Sequence, residues 1–260
     1  MRWPRLFELE DQRWLPRLLR NQVTDALHAL IVDMRAYAPS IPELLWVMQQ
    51  SKTKQVIDLC SGGSGPWPYL LREIRNSEEV IEQVTLTDLY PNQASLEKIS
   101  AAHPLLSYKV EPVNALQISA DLVGVRTLFS SFHHFNPTQA TAILQDAVNR
   151  QMPICIFEFT GRRKAHFLLM PLMTVLLFTR LLFRKPFSLS KLLFSYLIPI
   201  VPLIFLWDST ISLLHSYSQE ELEDILAAVT NAESFIWEIG ESSSPKTPLQ
   251  NTYLIGYPKG

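Results

Sequence analysis

Five short apolar runs set the frame of this chain: Gln55–Cys60, Val84–Asp88, Tyr108–Val113, Arg126–Ser131 and Ile154–Phe159. Stretches with helical spacing separate them. Strands this continuously apolar cannot leave one face in water, so the alternation predicts a parallel sheet covered by helices on both faces. Pro66, Pro91 and Pro137 fall where a helix would start after a strand, a position that tolerates a residue without an N–H. Ser218-Gln219-Glu220-Glu221 reads as a capping box opening a helix over Gln219–Thr230. Two more runs follow, Ser234–Gly240 and Thr252–Tyr257. The Ser/Pro-rich segment Glu241–Gln250 between them reads as a loop, and a link without a helix predicts an antiparallel pair. Residues 1–50 read as helices: Leu15, Leu18, Leu19, Val23, Ala26, Leu27 and Leu30 form one stripe, and Pro39 and Pro42 interrupt it.

The ends of the strands carry the polar residues. Val56-Ile57-Asp58-Leu59-Cys60-Ser61-Gly62-Gly63-Ser64-Gly65-Pro66 is an apolar strand running into a turn of small residues and then a helix. Small residues let backbone approach a ligand, and a helix N-terminus offers unpaired N–H groups, so a nucleotide-type ligand is expected. The dinucleotide fingerprint G-x-G-x-x-G fails, because Pro68 stands where its third glycine belongs, and no Gly-Lys-Ser/Thr follows for a phosphate loop. Asp88-Leu89 closes the second strand, where a carboxylate can accept both hydroxyls of a ribose. Asn114-Ala115 follows the third strand, where an amide can read an adenine edge. Ser130-Ser131-Phe132-His133-His134-Phe135 closes the fourth. Carboxyl ends of adjacent strands are where open α/β sheets bind ligands.

With these motifs in view the sequence resembles the class I S-adenosylmethionine-dependent methyltransferases over residues 50–160 and 218–257. Asp58–Ser64 is similar to the family's first motif, Asp88 to its acidic ribose-binding position, Asn114-Ala115 to its usual Asp-Ala pair, and Ser130–Phe135 to its post-strand motif. The resemblance implies a seven-stranded, mostly parallel Rossmann-like sheet with a reversed last strand at Thr252–Tyr257. It also implies S-adenosylmethionine as cofactor, held by Asp58, Cys60, Ser61, Gly62, Gly63, Ser64, Asp88, Leu89, Asn114, Ala115 and Ser130. The departures are Ser64, where the family's last motif glycine is usual, and Asn114 in place of Asp.

Methyl transfer asks for an in-line nucleophile and exclusion of water, with a general base only when the acceptor must lose a proton. The catalytic candidates are His133 and His134, Glu158 in Phe157-Glu158-Phe159, and Asp208. Glu158 could instead pair with Arg162 or Arg163. Asp208, Ser212 and His215 recur at i, i+4 and i+7 on one helical face, which could meet an acceptor or simply be the wet side of the helix.

Charge is unevenly distributed. The 260 residues hold 23 Lys+Arg against 25 Asp+Glu, a balance that argues against a nucleic-acid partner. Between Phe159 and Trp207, however, there is no acid, and Arg162, Arg163, Lys164, Arg180, Arg184, Lys185 and Lys191 all lie in or just beside two apolar runs, Phe167–Phe183 and Leu192–Trp207. Neither run reaches the roughly 20 apolar residues of a spanning helix. Three readings stay open: a hairpin dipping into one leaflet with basic residues at the headgroups, a lid over a lipid-like acceptor, or a buried core or dimer element. The expected organisation is a helical cap at 1–50, a methyltransferase domain at 51–159 and 218–260, and a hydrophobic basic insert at 160–217.

Two cysteines, Cys60 and Cys155, exclude a disulfide scaffold or a cysteine zinc site, and no metal is expected. The start lacks a signal-like apolar run. The expected setting is the cytosol, with peripheral or monotopic attachment to the inner face of an anionic membrane. The expected activity is methylation of a small or lipid-like apolar acceptor. A second reading is a non-catalytic lipid-binding protein on a degenerate methyltransferase fold, for which Ser64 and Asn114 leave room. An NAD-linked reductase is disfavoured by the missing fingerprint and the lack of a Tyr-x-x-x-Lys pair.

Overall fold

The computed structural model describes residues 6–75, 81–91, 93–159, 161–162, 164–183, 188–244 and 247–260. The chain forms two compact units, one of residues 35–159 with 217–260 and one of residues 1–34 with 160–216. The first boundary therefore falls after Met34, inside the helical stretch expected to form one cap.

The larger unit contains α2 (Ile41–Gln50), β1 (Gln55–Leu59), α3 (Trp67–Ile74), β2 (Gln83–Leu86), α4 (Gln93–Ala102), β3 (Leu106–Tyr108) and β4 (Val125–Phe129). It continues with α5 (Pro137–Asn149), β5 (Ile154–Glu158), α9 (Gln219–Ala227), β6 (Phe235–Ser244) and β7 (Thr247–Pro258). The sheet has the order β3-β2-β1-β4-β5-β7-β6. The first five strands are parallel and β7 runs antiparallel between β5 and β6, as the resemblance implied. Chain reversal between β1 and β4 puts the switch point, and so the ligand crevice, at the carboxyl end of β1.

Several local expectations change. Strand β3 lies at 106–108 rather than 108–113: beyond it only Lys109 and Val113 donate across, to Leu86 O and Asp88 O, and Pro112 has no N–H for a ladder. The segment read as a loop over Glu241–Gln250 is strand on both sides, with Glu241 paired to Thr252 and Ser243 to Gln250. Ladder bonding there overrides the low strand preference of serine. The helix opened by the Ser218/Glu221 capping box ends at Ala227, not Thr230. Pro42 does not break a helix but occupies the first turn of α2, where its missing N–H costs nothing.

One hydrophobic cluster fills the space between the sheet and its α5/α9 side, joining Ile57, Leu128 and Ile156 to Ile143, Leu144 and Ile225. On the other side, Asn251 in β7 is fully buried and donates through Nδ2 to Ala36 O (2.9 Å) and Ser40 Oγ (2.8 Å). Those bonds fix the turn before α2 to the sheet.

The smaller unit is helical: α1 (Arg17–Met34), α6 (Lys164–Leu182), α7 (Leu189–Leu192), a π turn (Leu193–Leu197) and α8 (Ile200–His215). Its core joins Leu15, Val23 and Ala26 to Leu177, Phe178, Val201, Ile204 and Phe205. Leu18 and Leu27 of the expected stripe stay exposed. The second apolar run is not one helix. It bends by 66° between Leu197 and Ile200, where Pro199 removes a donor and Pro202 occupies the first turn that follows. Arg163, Arg184 and Lys185 lie outside the described residues, as does the side chain of Lys164.

Candidate functional site

The turn after β1 is built from unusual backbone. Cys60, Gly62 and Gly65 take φ of 58°, 55° and 55°, and Ser64 takes φ 142°. Ser64 thus holds a conformation that suits glycine, at the very position where the sequence departs from the family motif. Holding a serine there costs strain on the order of 1–3 kcal/mol. Ser61 staples the turn downwards: its Oγ donates to Asp58 O (2.9 Å) and accepts from Thr87 N–H (3.1 Å), and its own N–H donates to Thr87 O (2.9 Å). Above the turn the space is open, because a Cβ built on Gly62 meets no atom within 4 Å.

Asp58 lies beneath this turn and is buried. Register places Thr127 of β4 beside it, and Thr127 Oγ1 donates to Asp58 Oδ1 at 2.7 Å. Burial raises the carboxyl to about 6, against the opposing effect of the polar groups of Ser61, Thr127 and Trp67 beside it. Gly65 passes so close that its Cβ, if present, would stand 3.3 Å from Asp58 Oδ2.

Asp88, at the end of β2, is half-buried. Its Oδ2 accepts from Gly62 N–H (2.8 Å) and its Oδ1 from Tyr90 N–H (2.7 Å), which ties the first turn to the second strand end. Leu89 and Tyr90 next to it are exposed. Asn114 is exposed, and its Oδ1 closes a local turn by accepting from Leu116 N–H (3.0 Å), while Ala115 is buried in the main core. Ser130 leaves β4 at φ 42°, and its Oγ accepts from Phe159 N–H (3.0 Å). Ser64 Oγ and Ser131 Oγ are buried without a hydrogen-bond partner. Two orphaned hydroxyls at the strand ends beside an open turn fit a polar ligand lying across them.

The post-strand motif forms a single 3₁₀ turn, Phe132–His134, before the Asn136/Gln139 capping box that opens α5. His133 is buried, and its Nδ1 lies 2.6 Å from Glu158 Oε2, while Glu158 Oε1 accepts from Phe132 N–H at 2.8 Å. A buried carboxylate at Nδ1 orients the ring and favours a proton on that nitrogen. His134 is exposed, and its ring stacks on that of His133 with centroids 4.5 Å apart. The structure therefore brings His133, His134 and Glu158 together at the ends of β4 and β5.

Asp208 is placed in the helical unit. Its carboxylate accepts from Leu9 N–H (2.6 Å) and Glu10 N–H (3.0 Å), and burial raises it to about 6. Ser212 Oγ donates to Glu8 Oε1 (3.1 Å) and His215 Nδ1 stands 3.9 Å from the same oxygen. The polar face of α8 is thus occupied by residues 8–10. In the same unit, Arg162 Nε donates to Ser216 O at 2.7 Å.

Tyr37 was not singled out by the sequence. It is buried in the turn before α2, its N–H donates to Tyr69 Oη (2.7 Å), and its ring meets Phe129 edge-on at 4.9 Å. Burial drives its phenol pKa upward, and Ser130, Glu158 and Asp58 are its polar neighbours. No periodic pattern marks residues 35–40; the only local signal is an aromatic preceding Pro39.

The chain matches no protein-family model and no curated protein. Solved structures do match. The plantazolicin methyltransferase BpumL in complex with SAH gives a TM-score of 0.61 at 10% identity, over 96% of this chain and 94% of that one. The plantazolicin methyltransferase BamL, in complex with a triazolic desmethylPZN analog and SAH, gives 0.51 at 13% identity, over 93% and 98%. An O-methyltransferase family protein from Burkholderia thailandensis gives 0.50 at 16% identity, over 93% of this chain and 60% of that one. The fold is that of the class I methyltransferases.

Proposed function

We propose that this chain is an S-adenosylmethionine-dependent methyltransferase acting on a small or lipid-like apolar acceptor that must lose a proton. The observation that carries the reading is the convergence, at adjacent strand ends of one unit, of an open small-residue turn and a buried His–Glu pair. The methyltransferase neighbours, two of them in complex with SAH, support it through the shared fold.

In this reading the small-residue turn Cys60–Ser64 lets the cofactor lie close against its backbone, and Asp88 exchanges its bonds to Gly62 and Tyr90 for ribose hydroxyls, which frees the Gly62 N–H for the ligand. Leu89 and Asn114-Ala115 flank the adenine, and Ser130, Ser64 and Ser131 offer hydroxyls at the strand ends. The bound group supplies an electrophilic methyl on a sulfonium. Glu158 holds the Nδ1 proton of His133 and keeps the ring oriented, and His133 Nε2 takes the proton of the acceptor. The carboxylate also stabilises the imidazolium that results. His134, stacked on His133, restricts the ring's rotation.

The acceptor is proposed to be apolar and met at a membrane surface because the insert carries exposed apolar side chains and a sequence rich in basic residues. The test is transfer of labelled methyl from S-adenosylmethionine into apolar extracts, followed by isolation of the product. Glu158→Gln is expected to lower kcat by about 10- to 100-fold with cofactor affinity retained, the scale usual for a residue orienting a functional histidine. Unchanged kcat in Glu158→Gln would remove the pair from the reaction. No labelled product with any apolar fraction, from protein that binds the cofactor, would point to a polar acceptor.

A further inference from the structure

Part of the exposed surface of the helical unit is apolar. On α6, Leu177 and Phe178 face the core, while Leu168, Leu172, Val175 and Leu176 lie on the opposite side at helical spacing, and Phe183 follows directly after the helix. Those five are 81%, 54%, 63%, 49% and 81% exposed. A surface helix of a water-soluble unit carries polar residues there; one that is apolar all round is made for an apolar environment. Leu189 of α7 and Leu197 of the π turn are likewise 79% and 76% exposed.

Charge identifies the environment. The helical unit carries twelve Lys and Arg against six Asp and Glu, while the sheet unit carries eleven against nineteen. A chain that is nearly neutral overall is thus divided into a strongly positive part and a strongly negative one. On the positive part Arg180 and Lys191 have exposed side chains, within 4.0 Å of Asp33 and 3.1 Å of Asp25 respectively. Exposed leucines and phenylalanine with basic side chains around them are the chemistry of an anionic lipid surface. No single helix among the described residues is long and apolar enough to cross a bilayer, and the segment 189–215 is sharply bent.

We infer that the outward stripe of α6, together with Leu189 and Leu197, is a docking face for an anionic bilayer. This deepens the proposed function, since it names the surface on which an apolar acceptor would be met. It can fail separately from that proposal.

The test is flotation of the full chain with vesicles of phosphatidylcholine alone or with about one third phosphatidylglycerol. Cofactor titration and sedimentation velocity are run on the same samples. The expected result is at least tenfold stronger binding to the anionic vesicles, weakened by salt. Binding should be lost in Leu172→Glu/Val175→Glu with thermal stability and cofactor affinity unchanged. Both positions face outward, and Phe183→Ser provides an independent variant should that double change fail to fold. Equal binding to both vesicle types would overturn the charge argument. Absence of flotation with cofactor binding intact would overturn docking and leave methyl transfer standing. A dimer that the double variant dissociates would assign the face to a second copy of the chain.

Discussion

Asp58→Asn isolates the most consequential buried charge of the sheet unit. Burial carries the Asp58 carboxyl from its ordinary 3.8 to about 6. The sign follows from proton counting. Below pH 4 the group is protonated in both folded and unfolded chains. Between about pH 4 and 6 the folded chain keeps a proton that the unfolded chain has released, so stability falls as pH rises. Above that range the group is ionised in both states, and the full penalty for holding it charged, about 3 kcal/mol, is present. The Asn variant lacks this dependence, and its side-chain oxygen can still accept from Thr127. Asp208 titrates in the same direction but is common to both proteins, so it cancels in the difference. Urea unfolding followed by fluorescence should therefore show wild type losing on the order of 1 kcal/mol relative to Asp58→Asn between pH 5 and pH 7.5. A difference that stays flat across that range would refute the claim that Asp58 is held charged against its environment beneath the turn.

Ser64→Gly should relieve the backbone strain at φ 142° and remove a buried unpartnered hydroxyl, raising stability by about 1 kcal/mol in thermal unfolding; lower stability would mean that the serine makes a compensating contact. Asp208→Ala should free the backbone N–H groups of Leu9 and Glu10. The lost bonds exceed the relief of removing a raised carboxyl, so a net loss of about 1–2 kcal/mol is expected. It should appear as faster proteolysis near residues 8–12, with cofactor binding unchanged. Unchanged proteolysis would show that the segment is held by other contacts.

The strand ends were readable because each is encoded within a few consecutive residues. An apolar run followed by Asp58–Gly65, Asp88, Asn114 or Ser130–Phe135 announces both the strand and the polar group that it delivers. The resemblance those motifs carry implied the mostly parallel sheet with its reversed last strand. What could not be read depends on contacts between distant segments. Asp208, Ser212 and His215 were recognised as one face of a helix, but their partners are residues 8–10, some two hundred positions away. Tyr37 sits in a turn without periodicity, and that turn is held through Ala36 and Ser40 by Asn251 at the far end of the chain. The third strand was misplaced because its apolar residues continue past the point where Pro112 leaves the ladder. The hairpin of β6 and β7 was underestimated because serine-rich sequence reads as loop until a partner strand is known.

The central claim is that the small-residue turn and the acid of β2 hold S-adenosylmethionine. Calorimetric titration of the full chain with S-adenosylmethionine and S-adenosylhomocysteine tests it most directly, with Asp88→Ala as control. The account predicts saturable one-to-one binding of both ligands, weakened strongly in a control that retains its fold by circular dichroism. Folded wild-type protein that takes up neither ligand would contradict it.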